Sequence, residues 1–427
     1  MNHCMNIRLI TFCLLIFLFQ ANLLKANEKI TPKKKTLHEF KERDGLPNFF
    51  TKAFRGNPIT VAYLGGSITA QNGWRVYSLE WFKHRFPQAT FAEINAAIGG
   101  TGSKFGVFRL QEQILNYKPD LVFVEFAVND GSEKKEEIIR STESIVRKIW
   151  EQNPKIDICF IYTLSEQFVD VLEKQQLPES VQAMEEVATH YGIPSINYEI
   201  EVFKRLQDHS LILKNKEKQI DGVTVFSPDG VHPFVETGHV IYFDILKRSF
   251  ERMDQCQKNQ SHKLIKPLCP NFLANAQMID PDKFLLSGNW SMLDTTDTGV
   301  YRFRKLISKV AKSHQTGATL CLKFKGQAIG FCDIMGPDAG RVILEVDGSL
   351  KDTISRFDRY CTYHRINNYV IDNLKDTIHS VIFRVLADTF DKSNILKAGG
   401  KEMIHQEDYK INNWCVGKIL IDGRLIP

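Results

Sequence analysis

Neither positive nor negative charge is in large excess in this chain. Lys and Arg number 55 against 50 Asp and Glu, leaving a net +5 over 427 residues. With no basic stripe, the sequence carries no electrostatic footprint for nucleic acid. None of the nine cysteines forms a CxxC pair, and no His/Cys cluster has metal-ligand spacing; neither a zinc site nor another cofactor is expected. Beyond residue 26 no segment is long and apolar enough to span a bilayer. Internal repeats and low-complexity tracts are missing too. What is present is ordinary globular material, with 43% hydrophobic residues, 25% charged residues and 29 Phe. That balance argues against wholesale disorder or a collagen-like repeat. The length predicts two domains or three.

The first residues read as an address. Arg8 precedes an apolar run at 9–19 (LITFCLLIFLF), and a small residue follows at Ala26. The run is shorter than the roughly 20 residues a spanning helix needs. A cleaved signal peptide over residues 1–26 is therefore expected, with a secreted or periplasmic product. Cys13 lies inside the run and not after it, which argues against a lipid-modified N-terminal cysteine. Cleavage removes Arg8 and Lys25, so the net charge drops to +3. It also removes Cys4 and Cys13, which leaves seven cysteines. In an oxidising compartment Cys256–Cys269 is the expected pair. Cys159, Cys321 and Cys332 read as small buried hydrophobes.

Residues 27–45, with TPKKK at 31–35, read as a polar leader. From 46 to 253, short apolar strands alternate with helical periodicity. Strands are predicted at 59–64 (ITVAYL), 90–94, 120–128 (DLVFVEFAV), 156–163 (IDICFIYT) and 193–197. Helices are predicted at 74–86, 103–117, 134–152 and 179–191, with one after Pro233 that closes near Met253. This alternation implies a parallel sheet covered on both faces. Residues 254–271 are polar, contain two prolines and read as a linker. From 272 to 427 the pattern changes to short strands at 320–324, 328–332, 342–346, 369–371 and 380–385. Turn signals at Lys325-Gly326, Gly336-Pro337 and Asp347-Gly348 separate them. That spacing predicts an all-β sandwich of about 150 residues.

Four segments carry candidate chemistry. Gly65-Gly66-Ser67-Ile68-Thr69 follows the first strand directly, which exposes Ser67 at the sheet's carboxyl edge, where α/β sheets bind ligands. Residues 95–103 (NAAIGGTGS) form a glycine-rich loop able to offer bare N–H groups. The loop fits neither GxxxxGK[ST] nor GxGxxG, so phosphate binding is not expected. Asn129 emerges at the end of the apolar segment Val124-Glu125-Phe126-Ala127-Val128, where an amide can donate to a developing oxyanion. Ser227-Pro228-Asp229-Gly230-Val231-His232-Pro233 places a general-base candidate three residues after a carboxylate that can orient it. Taken singly, each segment also reads as a turn. A parallel sheet brings all four to one edge.

The ordered set Ser, Gly, Asn, then Asp-x-x-His resembles the SGNH hydrolases, also called the GDSL esterase family, over roughly residues 55–253. The resemblance implies a flavodoxin-like α/β/α domain with a mostly parallel, five-stranded sheet. It implies Ser67 as nucleophile and His232 and Asp229 as its partners. The backbone of Ser67, Gly100 (with Gly99 as the alternative) and the Asn129 side chain would form the oxyanion hole. One departure is plain: Gly66 stands where the family usually carries an acid before the serine. The Gly-Gly-Ser-Ile-Thr start with Val-Glu-Phe-Ala-Val-Asn-Asp looks more like secreted bacterial esterases acting on polysaccharides. The second half loosely resembles jelly-roll modules attached to carbohydrate esterases, with Trp290, Asp333 and Asp338 as candidate sugar contacts; the competing reading makes Trp290 core and the two acids surface. The expectation is hydrolysis of short acyl esters, chiefly O-acetyl, on a polysaccharide or oligosaccharide. The rivals are a lipase, phospholipase or thioesterase on the same fold, and an inactive glycan-binding protein.

Overall fold

The computed structural model describes residues 37–254, 259–386 and 388–426. The expected signal peptide, most of the leader and Cys256 lie outside the described residues. The first unit is built on strands β1 (Phe40–Lys41), β2 (Ile59–Gly65), β3 (Phe91–Asn95), β4 (Leu121–Glu125), β5 (Asp157–Tyr162) and β6 (Ser195–Asn197). They lie in the order β1-β6-β5-β4-β2-β3. The five strands β2 to β6 are parallel, and β1 pairs antiparallel with β6.

Every residue of β4 and β5 is buried, because helices cover both faces. The helices are α1 (Pro47–Phe54), α2 (Trp74–Arg85), α3 (Ser103–Gln113), α4 (Lys135–Gln152), α5 (Glu179–Tyr191), α6 (Tyr198–Gln207) and α7 (Gly238–Met253). The two-residue period of a strand splits β4 cleanly. Val122 and Val124 pack with Phe105, Ile145 and Val187 of α3, α4 and α5. Leu121 and Phe123 pack with Phe49, Phe82, Val202 and Ile245 of α1, α2, α6 and α7.

Two expectations need correction in this unit, and two of its helices were not anticipated. The end of the leader is not loose: besides strand β1, Arg43 pairs with Glu185 at 2.9 Å and donates to the Ile193 carbonyl at 2.7 Å. The strand predicted to 128 leaves the sheet at Glu125, and the following turn carries Asn129. Helices α1 and α6 had no prediction. Both are short, and α1 starts on Pro47 with Phe49, Phe50 and Ala53 turned inward.

The second unit is antiparallel and all-β, with ten strands among the described residues. Its longest strand, Thr319–Met335, replaces the two strands expected at 320–324 and 328–332. Lys325-Gly326 is not a turn. The strand Trp414–Ile426 crosses so closely there that a Cβ on Gly326 would lie 2.0 Å from the Asp422 carbonyl oxygen, and the register shifts between Gly326 and Ala328. Asp347-Gly348 is the turn expected, with φ of 54° and 73°, joining Arg341–Val346 to Ser349–Ser355.

The two units share one apolar cluster, in which Phe105 and Phe108 of α3 lie with Met278, Ile307, Cys332 and Leu420. Lys104 and Arg140 both reach Asp372 at 3.0 Å, and Lys418 reaches Glu112 at 3.0 Å. The linker is pinned along α4: His262 stacks on Trp150, and Glu143 accepts the N–H groups of Leu268 and Cys269. Cys269 has no disulfide partner among the described residues, Cys159 and Cys332 are buried, and Cys321 is half-buried. No helix among the described residues is long and apolar enough to cross a membrane.

Candidate active site

β2 ends at Gly65, and Ser67 opens a one-turn helix, Ser67–Ala70, directly above the sheet's carboxyl edge. Across the edge, the loop before α7 turns on Asp229. Its Oδ1 accepts the backbone N–H groups of Val231 at 2.9 Å and His232 at 2.8 Å. Its Oδ2 lies 2.8 Å from His232 Nδ1, and His232 Nε2 lies 2.8 Å from Ser67 Oγ. Ser67, His232 and Asp229 thus form one continuous hydrogen-bonded line. Burial opposes the charge on Asp229, but the N–H groups it accepts and the His232 ring hold its carboxyl below the usual aspartate range. The line is open to solvent, with 38% of the His232 side chain and 48% of Asp229 exposed.

The other two predicted segments arrive beside the serine. A Cβ on Gly66 would lie 1.9 Å from Asn129 Oδ1, so the Asn129 amide rests on the turn that carries Ser67. A Cβ on Gly99 would sit 3.4 Å from the Ser67 Cβ, whereas Gly100 has open space and φ of +72°. Gly99 is therefore the residue facing Ser67, and Gly100 makes the left-handed turn behind it. The Ile98 N–H donates to the Gly65 carbonyl at 3.0 Å and ties the two loops together.

Four buried polar residues that the motif reading did not single out support these loops. Glu125, the last residue of β4, accepts from Thr69 Oγ1 at 2.7 Å and Thr163 Oγ1 at 2.9 Å, and from the Gly66 N–H. Burial pushes its carboxyl up. Asp130 accepts the Ser103 N–H at 3.0 Å, capping α3, and burial raises its carboxyl to about 7. Arg109 is fully buried without an ion-pair partner among the described residues; it donates to the carbonyls of Ala96 and Gly65, and burial lowers its guanidinium to about 9. His239 accepts the Trp74 N–H at 3.2 Å and reaches Gln71 Oε1 at 3.1 Å. Burial, with charge at His232 and Arg75, lowers it to about 3, so its ring is neutral. One signal for Glu125 was available: a lone acid at the end of an otherwise apolar strand.

The sugar-contact candidates of the second unit are engaged internally. Asp333 is buried and holds Arg356 through two 2.7 Å bonds. Asp338 holds His364 at 2.8 Å and Asn413 at 2.6 Å. Trp290 packs on Trp414 and donates to the Ser287 carbonyl. Asp333 is thus neither a surface acid nor an open sugar contact. Among the described residues no group of three His, Cys, Asp or Glu side chains could hold a metal ion.

Residues 63–235 match the model of the GDSL-like lipase/acylhydrolase family. The α/β unit is a GDSL-like lipase/acylhydrolase domain. No curated protein sequence matches the chain. Among solved structures, a two-domain esterase (CEX) active on acetylated mannans is similar at 20% identity and a TM-score of 0.70, over 89% of this chain and 96% of that one. The same esterase co-crystallised with mannopentaose gives 20% identity and a TM-score of 0.68, over 88% and 94%. The likeness extends over both units, so this GDSL-like domain and its antiparallel β unit share the two-domain fold of that esterase.

Proposed function

We propose that this chain is a serine esterase that removes short acyl groups, O-acetyl foremost, from polysaccharides outside the cytoplasm. The observation that carries this reading is the line from Ser67 Oγ through the His232 ring to Asp229, both bonds at 2.8 Å, at the edge of a GDSL-like domain. With a proton on Nδ1 held by Asp229, the ring accepts the Ser67 proton at Nε2. Ser67 Oγ then attacks the ester carbonyl. The oxyanion lies among the N–H groups of Ser67 and of the Gly99-Gly100 turn and the Asn129 amide. His232 returns the proton to the departing sugar hydroxyl, leaving an acyl-Ser67. Water, deprotonated by His232, attacks that acyl group, and the carboxylic acid leaves as Ser67 Oγ regains the proton.

The open setting of His232 and Asp229 favours an ester displayed on a bulky polymer. The shared fold with an esterase active on acetylated mannans directs the first polymer to test. The test measures acid release from p-nitrophenyl acetate, p-nitrophenyl octanoate and acetylated mannan, wild type beside Ser67→Ala. Turnover of acetate esters that falls on the order of 10⁴-fold or more in Ser67→Ala is expected. Equal rates in the two proteins would remove Ser67 from the chemistry, and a preference for octanoate would replace the acetylesterase reading with a lipase.

A further inference from the structure

The turn that carries Ser67 has no acidic residue of its own, and the structure leaves no space for one. A Cβ at position 66 collides with Asn129 Oδ1 at 1.9 Å, and one at position 65 would lie 2.8 Å from the Glu125 carbonyl oxygen and 2.9 Å from Thr69 Oγ1. A carboxylate nevertheless reaches the turn from beneath. Glu125 is fully buried at the end of β4, and three donors converge on its two oxygens. Gly66 N–H comes from the residue before the serine, Thr69 Oγ1 from the residue two after it, and Thr163 Oγ1 from the residue after β5. Two of the three bracket Ser67. The third anchors the carboxylate to the neighbouring strand, so the turn is fixed relative to the sheet and not merely closed on itself.

We propose that Glu125 is a positioning residue for Ser67, clamping the Gly66 N–H and the Thr69 hydroxyl so that Ser67 Oγ is held on His232 Nε2. The proposal rests on Ser67 being the nucleophile. It explains three residues of the motif together: the two glycines admit Asn129 and the β4 terminus, and the threonine supplies the second donor. A buried carboxylate needs such partners, since each unmet hydrogen bond there is costly. The same bonds that keep Glu125 in the interior therefore also set the turn. A displacement of about 1 Å at a reacting atom costs on the order of 10²-fold in rate, so loosening the clamp is expected to lower kcat while leaving KM in place.

The experiment compares Glu125→Gln, Thr69→Val and Thr69→Ser with wild type and Ser67→Ala on p-nitrophenyl acetate, with melting temperatures measured alongside. Thr69→Val leaves Glu125 unaltered, so it keeps the test decisive where Glu125→Gln fails to fold. A kcat lowered on the order of 10- to 100-fold with KM within about threefold, near-wild-type turnover in Thr69→Ser, and losses that do not multiply when Glu125→Gln and Thr69→Val are combined support the clamp. Ser67-dependent turnover that stays within threefold in both Glu125→Gln and Thr69→Val overturns the proposal alone. A lowered melting temperature with unchanged kcat assigns Glu125 to the core and overturns it as well. Turnover that does not depend on Ser67 overturns the esterase reading and the clamp together.

Discussion

A methyl group at position 66 has no room. Its carbon would lie 1.9 Å from Asn129 Oδ1, closer than any non-bonded contact allows, and the Asn129 side chain is the part able to yield. Gly66→Ala is therefore expected to act on Asn129 rather than on Ser67. Asn129→Ala should lower kcat on the order of 10²- to 10³-fold, the cost of one oxyanion donor. Gly66→Ala should fall in the same range. The double variant should lose far less than the product of the two, because both remove one interaction. Steady-state rates on p-nitrophenyl acetate decide it, and full activity in Gly66→Ala would show that Asn129 does not act from this position. The same contact leaves no room for a side chain at 66.

At the level of elements, the ends of the buried strands were the most legible feature of the sequence. An apolar run that stops on glycine, as at Gly65, marks the sheet edge; the run that stops on Asn129-Asp130 overshoots it, because β4 leaves the sheet at Glu125. Ser67 and Asn129 were found from strand ends, Asp229 and His232 from their spacing in the loop before the last helix, and the structure brings the four together. Beneath the edge, only Glu125 gave a sign, as a lone acid ending an apolar strand. Arg109 and His239 are polar residues whose partners come from distant segments, and no local period announces such contacts. Lys325-Gly326 misled for a related reason: glycine serves a close strand crossing as well as it serves a turn. Asp130 belongs to this hidden set and has a consequence for pH. It caps α3 through Ser103, and its Oδ2 finds no partner among the described residues. Burial raises its carboxyl from 3.8 to about 7. Between those values the folded protein keeps a proton that the unfolded chain has lost, so this group's contribution to stability falls as pH rises from about 4 to 7. Asp130→Asn retains an acceptor for the Ser103 N–H and does not titrate. Urea unfolding at pH 4 to 8 should show the variant gaining on wild type with rising pH, by up to about 4 kcal/mol. A difference that stays constant with pH would mean that Asp130 does not bury a proton.

On the scale of the whole molecule, the β unit packs as one body with the α/β unit. α3 is the connecting piece. Its N-terminus follows the Gly99-Gly100 loop, its buried Arg109 backs the Ser67 turn, and Phe105 and Phe108 share a core with Met278 and Leu420 of the β unit. Three ion pairs to Asp372 and Lys418 close the same face. A helix buried between two units cannot keep its packing when one of them melts, since either half alone would expose the shared apolar surface. One cooperative unfolding transition is therefore expected by calorimetry, with calorimetric and van't Hoff enthalpies that agree. Leu420→Ala opens a cavity in the shared cluster and should cost about 2–5 kcal/mol. That loss should move the single transition down as a whole, and esterase activity should disappear at the same lowered temperature. Two resolved transitions, with activity surviving the first, would make the β unit an independent module. The Gly99-Gly100 loop would then owe its geometry to the α/β unit alone.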